Sequence, residues 1–187
     1  LHNPRNHPSP HPRPLWTFRE EIVTFKPSEL LIPDKTKIEN TLTACIDKLG
    51  EDALFRAGLQ GGYVEVPQDI SGDSSQNLRL SPMNVIPYWA SGPTTRIPSL
   101  AEVKAGIDKY IETNLRDCVS NWASFKEEYN ILEKSEITSD TQLNENGVLF
   151  NVRWELEVKD KAGEMILSVS DHSSESNIKF KRMYDAA

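Results

Sequence analysis

Histidine is scarce, and it is missing where a catalytic base would be needed. Four histidines occur in 187 residues, and none lies between Pro12 and Asp171. A thiol nucleophile relies on a positioned imidazole, so this gap argues against cysteine-protease chemistry. Ser-His-Asp chemistry has only His172 to draw on, in the serine-rich stretch Ser170 to Ser176, with no G-x-S-x-G elbow to support it. Cysteine is scarcer still: Cys45 and Cys118 are the only two, and they lack the spacing of a zinc site. Neither G-x-x-x-x-G-K-[ST] nor G-x-G-x-x-G occurs, which leaves a nucleotide reading without support. No run approaches the roughly 20 apolar residues of a membrane helix, and the first residues lack the charged-then-apolar order of a signal peptide. Positive charge is in deficit, 21 Lys plus Arg against 28 Asp plus Glu for a net charge of -7. The field repels phosphate backbones, so nucleic acid is not an expected partner. No cofactor, metal site or catalytic residue is assigned from the sequence.

What is present suits a packed domain with long polar connections, 37% of residues being hydrophobic and 26% charged. The expected division is a Pro/His-rich arm over residues 1–15 and one domain over residues 16–187. The arm holds prolines at 4, 8, 10, 12 and 14, a composition that favours an extended linker. His2, His7 and His11 fall in it with nothing to orient them as metal ligands, and a linker or vector-derived stretch explains them better. A first residue other than methionine, and apolar positions at Ile178, Phe180, Met183 and Tyr184 that stop without a cap, are read as the ends of a fragment.

The elements follow from spacing. Trp16, Phe18, Ile22, Val23 and Phe25 suit a short edge strand ending at Pro27. Ile38, Leu42, Cys45, Ile46, Leu49, Ala53 and Leu54 recur at three- and four-residue intervals, which predicts a helix to about Ala57 with Gly58 as its C-terminal glycine. Tyr63 to Val66 reads as a strand after a tight turn, Gln68 to Leu80 as a surface loop, and Val85 to Trp89 as an edge strand or bulge. Ser99 and Glu102 make an S-x-x-E capping box, starting a second helix whose apolar stripe runs Leu100, Val103, Ile107, Tyr110, Ile111, Leu115 and Cys118. Val148 to Val158 alternates strictly, the pattern of a strand buried on one face, and Lys159 to Gly163 turns the chain back through Met165, Leu167 and Val169. A further strand is expected around Tyr129 to Ile137. The fold class is α+β: two long helices on one face of an antiparallel sheet, with a meander in the C-terminal half.

Few residues suggest chemistry. Cys45 and Cys118 each fall on the apolar stripe of a long helix, and spacing alone leaves two readings open, a disulfide closing a loop of roughly 70 residues or two buried thiols. Carboxylate pairs at Glu20-Glu21, Glu127-Glu128 and Glu155 with Glu157 are explained by solvated positions and charge pairing. Gln60, Gly61, Gly62 and Tyr63, together with Tyr88 and Trp89, are the densest unusual features. They read either as the lining of one aromatic binding surface or as a geometrically required turn with aromatic core filler, and the second is the better explained.

Taken in order, Cys45-Ile46-x-x-Leu49, Gly58-Leu59-Gln60-Gly61-Gly62-Tyr63, Ile86-Pro87-Tyr88-Trp89, Pro98-Ser99-Leu100 and Asn114-Leu115-x-x-Cys118 resemble an uncharacterised archaeal family. In that family a hydrophobic N-terminal anchor precedes an extracytoplasmic domain with these motifs and both cysteines. The resemblance spans about Phe25 to Trp122. This chain lacks the anchor and follows Trp89 with Ala90-Ser91-Gly92. The resemblance implies a cell-surface domain, tethered to the membrane only through the missing anchor, and a Cys45 to Cys118 disulfide in an oxidising compartment. The expected role is a non-enzymatic cell-envelope module that binds a protein or peptide at the aromatic surface or at an exposed sheet edge. The alternatives are an envelope-polymer hydrolase using paired carboxylates and a pilin-like subunit lacking its anchor.

Overall fold

A computed structural model of the chain describes residues 32–81 and 84–186. The arm over residues 1–15 and the strand expected over residues 16–26 lie outside the described residues.

Helix α1 (Ile32–Leu59) buries Ile38, Leu42, Ile46, Leu49, Ala53, Leu54 and Ala57, the stripe that their spacing predicts. Helix α3 (Leu100–Cys118) opens with the anticipated capping box. The Ser99 hydroxyl accepts from the Glu102 N–H at 3.3 Å, and the Ser99 N–H donates to Glu102 Oε2 at 2.7 Å. That backbone bond, reinforced by the Ser99 hydroxyl, holds the Glu102 carboxyl below its ordinary pKa of 4.5. Val103, Ile107, Ile111 and Leu115 form its buried stripe. The two helices pack together, and Cys45 and Cys118 form a disulfide between them with a Cα separation of 5.8 Å. Closing a loop of 73 residues constrains the unfolded chain by about 4 kcal/mol in the chain-entropy account.

Between the helices the chain departs from expectation. Tyr63 to Val66 is not a strand; it is an irregular connector leading to a four-residue helix, α2 (Gln68–Ser71). The stretch expected as a surface loop contains α2 and strand β1 (Asn77–Ser81), which pairs antiparallel with β2 (Asn84–Pro87). A two-residue pair, β3 (Ala90–Ser91) and β4 (Thr94–Thr95), follows. The β1–β2 hairpin persists despite its polar sequence because buried Asn77 donates to the Ile70 and Asp73 carbonyls, fastening the hairpin to α2.

After α3, a short 3₁₀ turn at Ser120–Trp122 carries the chain to the main sheet and buries Trp122 against Trp154 and Phe125 at 5.5 and 6.0 Å between ring centroids. Strand β7 (Val148–Lys159) is its centre. Along one edge lie β5 (Asn130–Glu133) and β6 (Thr138–Leu143), end to end; along the other lies β8 (Met165–Ser176), and every pairing is antiparallel. Ser135 spans the break between β5 and β6, its hydroxyl accepting from the Glu155 N–H at 2.9 Å. Val148, Phe150, Val152, Trp154, Leu156 and Val158 face the helices. The chain ends in a short helix, α4 (Phe180–Asp185), whose Phe180 is buried and whose Tyr184 hydroxyl donates to the Pro98 carbonyl at 2.9 Å.

Both helices meet the sheet through carboxylates as well as apolar groups. On α3, Asp108 Oδ1 accepts from the Thr141 N–H at 2.7 Å, and Glu112 Oε1 accepts from the Ser139 N–H at 2.8 Å. On α1, Asp47 and Glu51 accept from the hydroxyls of Ser174 and Ser176 at 3.0 and 3.1 Å. Each pair matches the rise of one helical turn to two residues of strand, about 6 Å in both cases.

Candidate functional site

The motif residues Gln60 to Tyr63 gather at the C-terminal end of α1. The helix runs through Gly58 and ends one residue later, at Leu59. Gly62 N–H donates to the Ala57 carbonyl at 2.7 Å, and Gly61 takes φ 63°, so Gly61 is the left-handed cap and Gly58 is not. The sequence reading put the stop at the first glycine, but a glycine in helical conformation terminates nothing. Gln60 Nε2 clamps the turn by donating to the Tyr63 and Val64 carbonyls at 3.1 and 2.9 Å.

Trp89 closes onto this turn, its Nε1 donating to the Gly61 carbonyl at 2.8 Å. A Cβ at Gly61 would come within 3.0 Å of the same nitrogen, so both the backbone angle and the indole require glycine there. The Arg96 N–H donates to the Trp89 carbonyl, and the Tyr63 hydroxyl donates to the Arg96 carbonyl. Burial, with Glu102 nearby, raises the Tyr63 phenol above its ordinary 10.0. Five of the six motif residues thus form one cluster. Tyr88 is separate; it stays 43% exposed and anchors only its backbone N–H, to the Gln76 carbonyl.

Two depressions flank the cluster. One, of about 200 Å³ and largely apolar, is enclosed by Ala57, Gly58, Gly61 and Gly62 on one side and by Trp89, Phe180, Met183 and Tyr184 on the other. The second, of about 380 Å³, lies between the connector Gly62 to Gln68 and the α3 face around Gly106 and Tyr110. Of the two carboxylates that line it, Glu65 and Glu102, Glu102 is committed to the helix cap. Sequence reasoning missed Phe55, Leu59 and Met183, which border this end and are 63%, 46% and 57% exposed. Phe55 and Leu59 fall off the buried stripe of α1, and that apolar character at solvent-facing positions is the signal that finds them.

Elsewhere, one of the acidic pairs is engaged in ion pairs. Glu155 and Glu157 stand on the outer face of β7 with Arg153, Lys134 and Lys159 as ion-pair partners, and Glu127 and Glu128 are exposed. Glu20 and Glu21 lie outside the described residues. Among the described residues, no group of three or more His, Cys, Asp or Glu is placed to hold a metal, and no helix is long and apolar enough to cross a membrane. No family model, curated protein or solved structure matches this chain.

Proposed function

We propose that the chain is a non-enzymatic extracytoplasmic domain that binds a protein partner at the C-terminal end of α1, the partner inserting one apolar side chain beside Gly58. The observation that carries this reading is Gly58 itself. Within a helix glycine costs about 1 kcal/mol relative to alanine, so its presence asks for a reason. Gly50 has one inside the molecule, since a Cβ there would meet the Phe150 ring at 2.5 Å. Gly58 has none: a Cβ there meets nothing within 4 Å, and its backbone is helical. Its bare backbone opens instead onto the apolar depression, whose lining includes Trp89, Phe180 and the exposed Met183.

The size of the depression favours a side chain over a small molecule, because cofactor and substrate pockets usually run from about 300 to 1,000 Å³, against about 200 Å³ here. A small apolar slot in a partly apolar surface is how an interface seats an anchor residue. The Cys45–Cys118 disulfide supports an oxidising compartment, and with the family resemblance it supports the cell envelope. A membrane tether through a preceding anchor belongs to the same proposal.

A photo-crosslinking residue introduced at Met183, which lines the depression, tests the reading in the producing cell. A discrete protein adduct that Gly58→Trp abolishes, with the variant still folded, supports it. An adduct unchanged by Gly58→Trp, or none in intact envelopes, contradicts it.

A further inference from the structure

Charge is distributed unevenly between the two edges of the main sheet. On the β5–β6 side the acids find cations: Lys104 serves Asp108 and Asp140, and Arg116 serves Glu133 and Glu136. The backbone is also engaged there, Glu112 and Asp108 taking up the N–H groups of Ser139 and Thr141. The β8 side differs in both respects. Strand β8 carries Asp171 and Glu175 and neither Lys nor Arg, and α1 sets Asp47 and Glu51 beside it through the hydroxyls of Ser174 and Ser176. Among the described residues, no cation stands within ion-pair distance of these four carboxylates. Arg153, across β7 from Asp171, is engaged with Glu155 at 3.3 Å. β8 pairs with β7 only, and among the described residues nothing bonds its other edge along a strand of 12 residues. Such an edge is a template for one more strand.

We infer that the β8 edge takes an extended, basic segment of a partner protein, added as a further strand with Lys or Arg opposite Asp171 and Glu175. Strand addition supplies the backbone hydrogen bonds, and opposite charges facing each other across the new pair supply the selectivity. Asp171 and Glu175 lie opposite Arg153 and Leu149 of β7, on the face turned away from the helices. Their partners in the incoming strand are therefore four residues apart on one face, a cation-x-x-x-cation spacing. On the inner face Asp47 and Glu51 stand behind Ser174 and Ser176, which disfavours acidic side chains there too.

A second copy of the chain is the obvious competitor. An antiparallel pairing of two β8 strands centred on Ser173 sets Asp171 against Glu175, like charges across the new edge. This contact lies on β8 and depends on neither Gly58 nor the depression beside it.

The full, disulfide-bonded chain is mixed with the end-blocked peptide Thr-Lys-Val-Thr-Val-Lys-Val-Thr, or with a control in which both lysines are glutamate, and hydrogen exchange is read along β8. The lysine peptide should slow amides of residues 170–176 while the α3 amides stay unchanged, and the glutamate peptide should not. Asp171→Asn/Glu175→Gln, at exposed positions, should weaken binding of the lysine peptide at least about threefold with α3 protection intact, and added salt should weaken it further. Equal effects from the two peptides, binding untouched by the variant, or no slowing at millimolar peptide overturns the inference. So does full protection of the β8 amides in the free monomer, which gives the edge to another part of the chain, or in a dimer seen by sedimentation, which gives it to a second copy.

Discussion

The carboxylate of Asp108, buried on α3, accepts the backbone N–H of Thr141 on β6 at 2.7 Å while holding Lys104 at 2.9 Å. One residue thereby satisfies an edge-strand donor and finds its own counter-charge. Lys104 also reaches Asp140 at 2.8 Å, and these two partners, Asp140 first, raise its pKa above the ordinary 10.5. Asp108→Ala leaves the Thr141 N–H buried and unpaired, so urea denaturation should show a loss of about 2 kcal/mol. Asp140→Ala, at an exposed position, should cost well under about 1 kcal/mol by the same measurement.

The three glycines of the α1 region should respond oppositely to alanine. Gly58→Ala should raise stability by about 0.5 to 1 kcal/mol, because the helical backbone accepts a Cβ and the space is free. Gly61→Ala should lower it by about 1 kcal/mol or more, since φ is positive and Trp89 Nε1 stands 3.0 Å from the new atom. Gly50→Ala forces a Cβ against the Phe150 ring and should cost about 1 to 3 kcal/mol. Thermal melts of the three variants check the order.

His172 should make the fold sensitive to mild acid. Burial lowers its pKa below the ordinary 6.5, partly countered by the Trp154 carbonyl, Glu39 and Asp171. The unfolded chain therefore binds a proton that the folded chain resists. Stability is full above about pH 6.5 and falls as pH drops through the window between the unfolded and folded pKa values. Urea midpoints at pH 7.5 and 5 should differ more for the native chain than for His172→Gln; equal differences would remove His172 as the cause.

Much of this architecture is legible in the sequence where burial is apolar on one side only. Strand β7 alternates because Val148 to Val158 face the helices at every second residue. Helix α3 is marked at its start because Ser99 and Glu102 satisfy its first N–H groups locally. Strand β6, Thr-Ser-Asp-Thr-Gln-Leu, has no such pattern, since Ser139 and Thr141 are polar and fasten to the α3 carboxylates through their backbone N–H groups, which leave no mark in the sequence. The second half of β8 is hidden because its inward positions are serines, the hydroxyls of Ser174 and Ser176 donating to Asp47 and Glu51 of α1.

At the candidate site, the Gln60 to Tyr63 cluster with Trp89 was legible as a motif, while its neighbours were not. Phe180, Met183 and Tyr184 join it from nearly 120 residues away, a closure set by the docking of α4 and the Tyr184 bond to Pro98. Tyr63 to Val66 looked like a strand from β-branched and aromatic content, but Gln60 occupies the Tyr63 and Val64 carbonyls that a ladder would use.

The disulfide between α1 and α3 joins the fold to the proposed compartment, so it is the point on which the account is most exposed. Natively purified protein should be alkylated without reductant and weighed intact, then reduced, alkylated and weighed again. The account predicts no label before reduction and two labels after it, with the oxidised form more stable by about 4 kcal/mol. Two labels on the unreduced, natively purified chain would contradict it, removing both the Cys45–Cys118 fastening and the main physical support for an extracytoplasmic role.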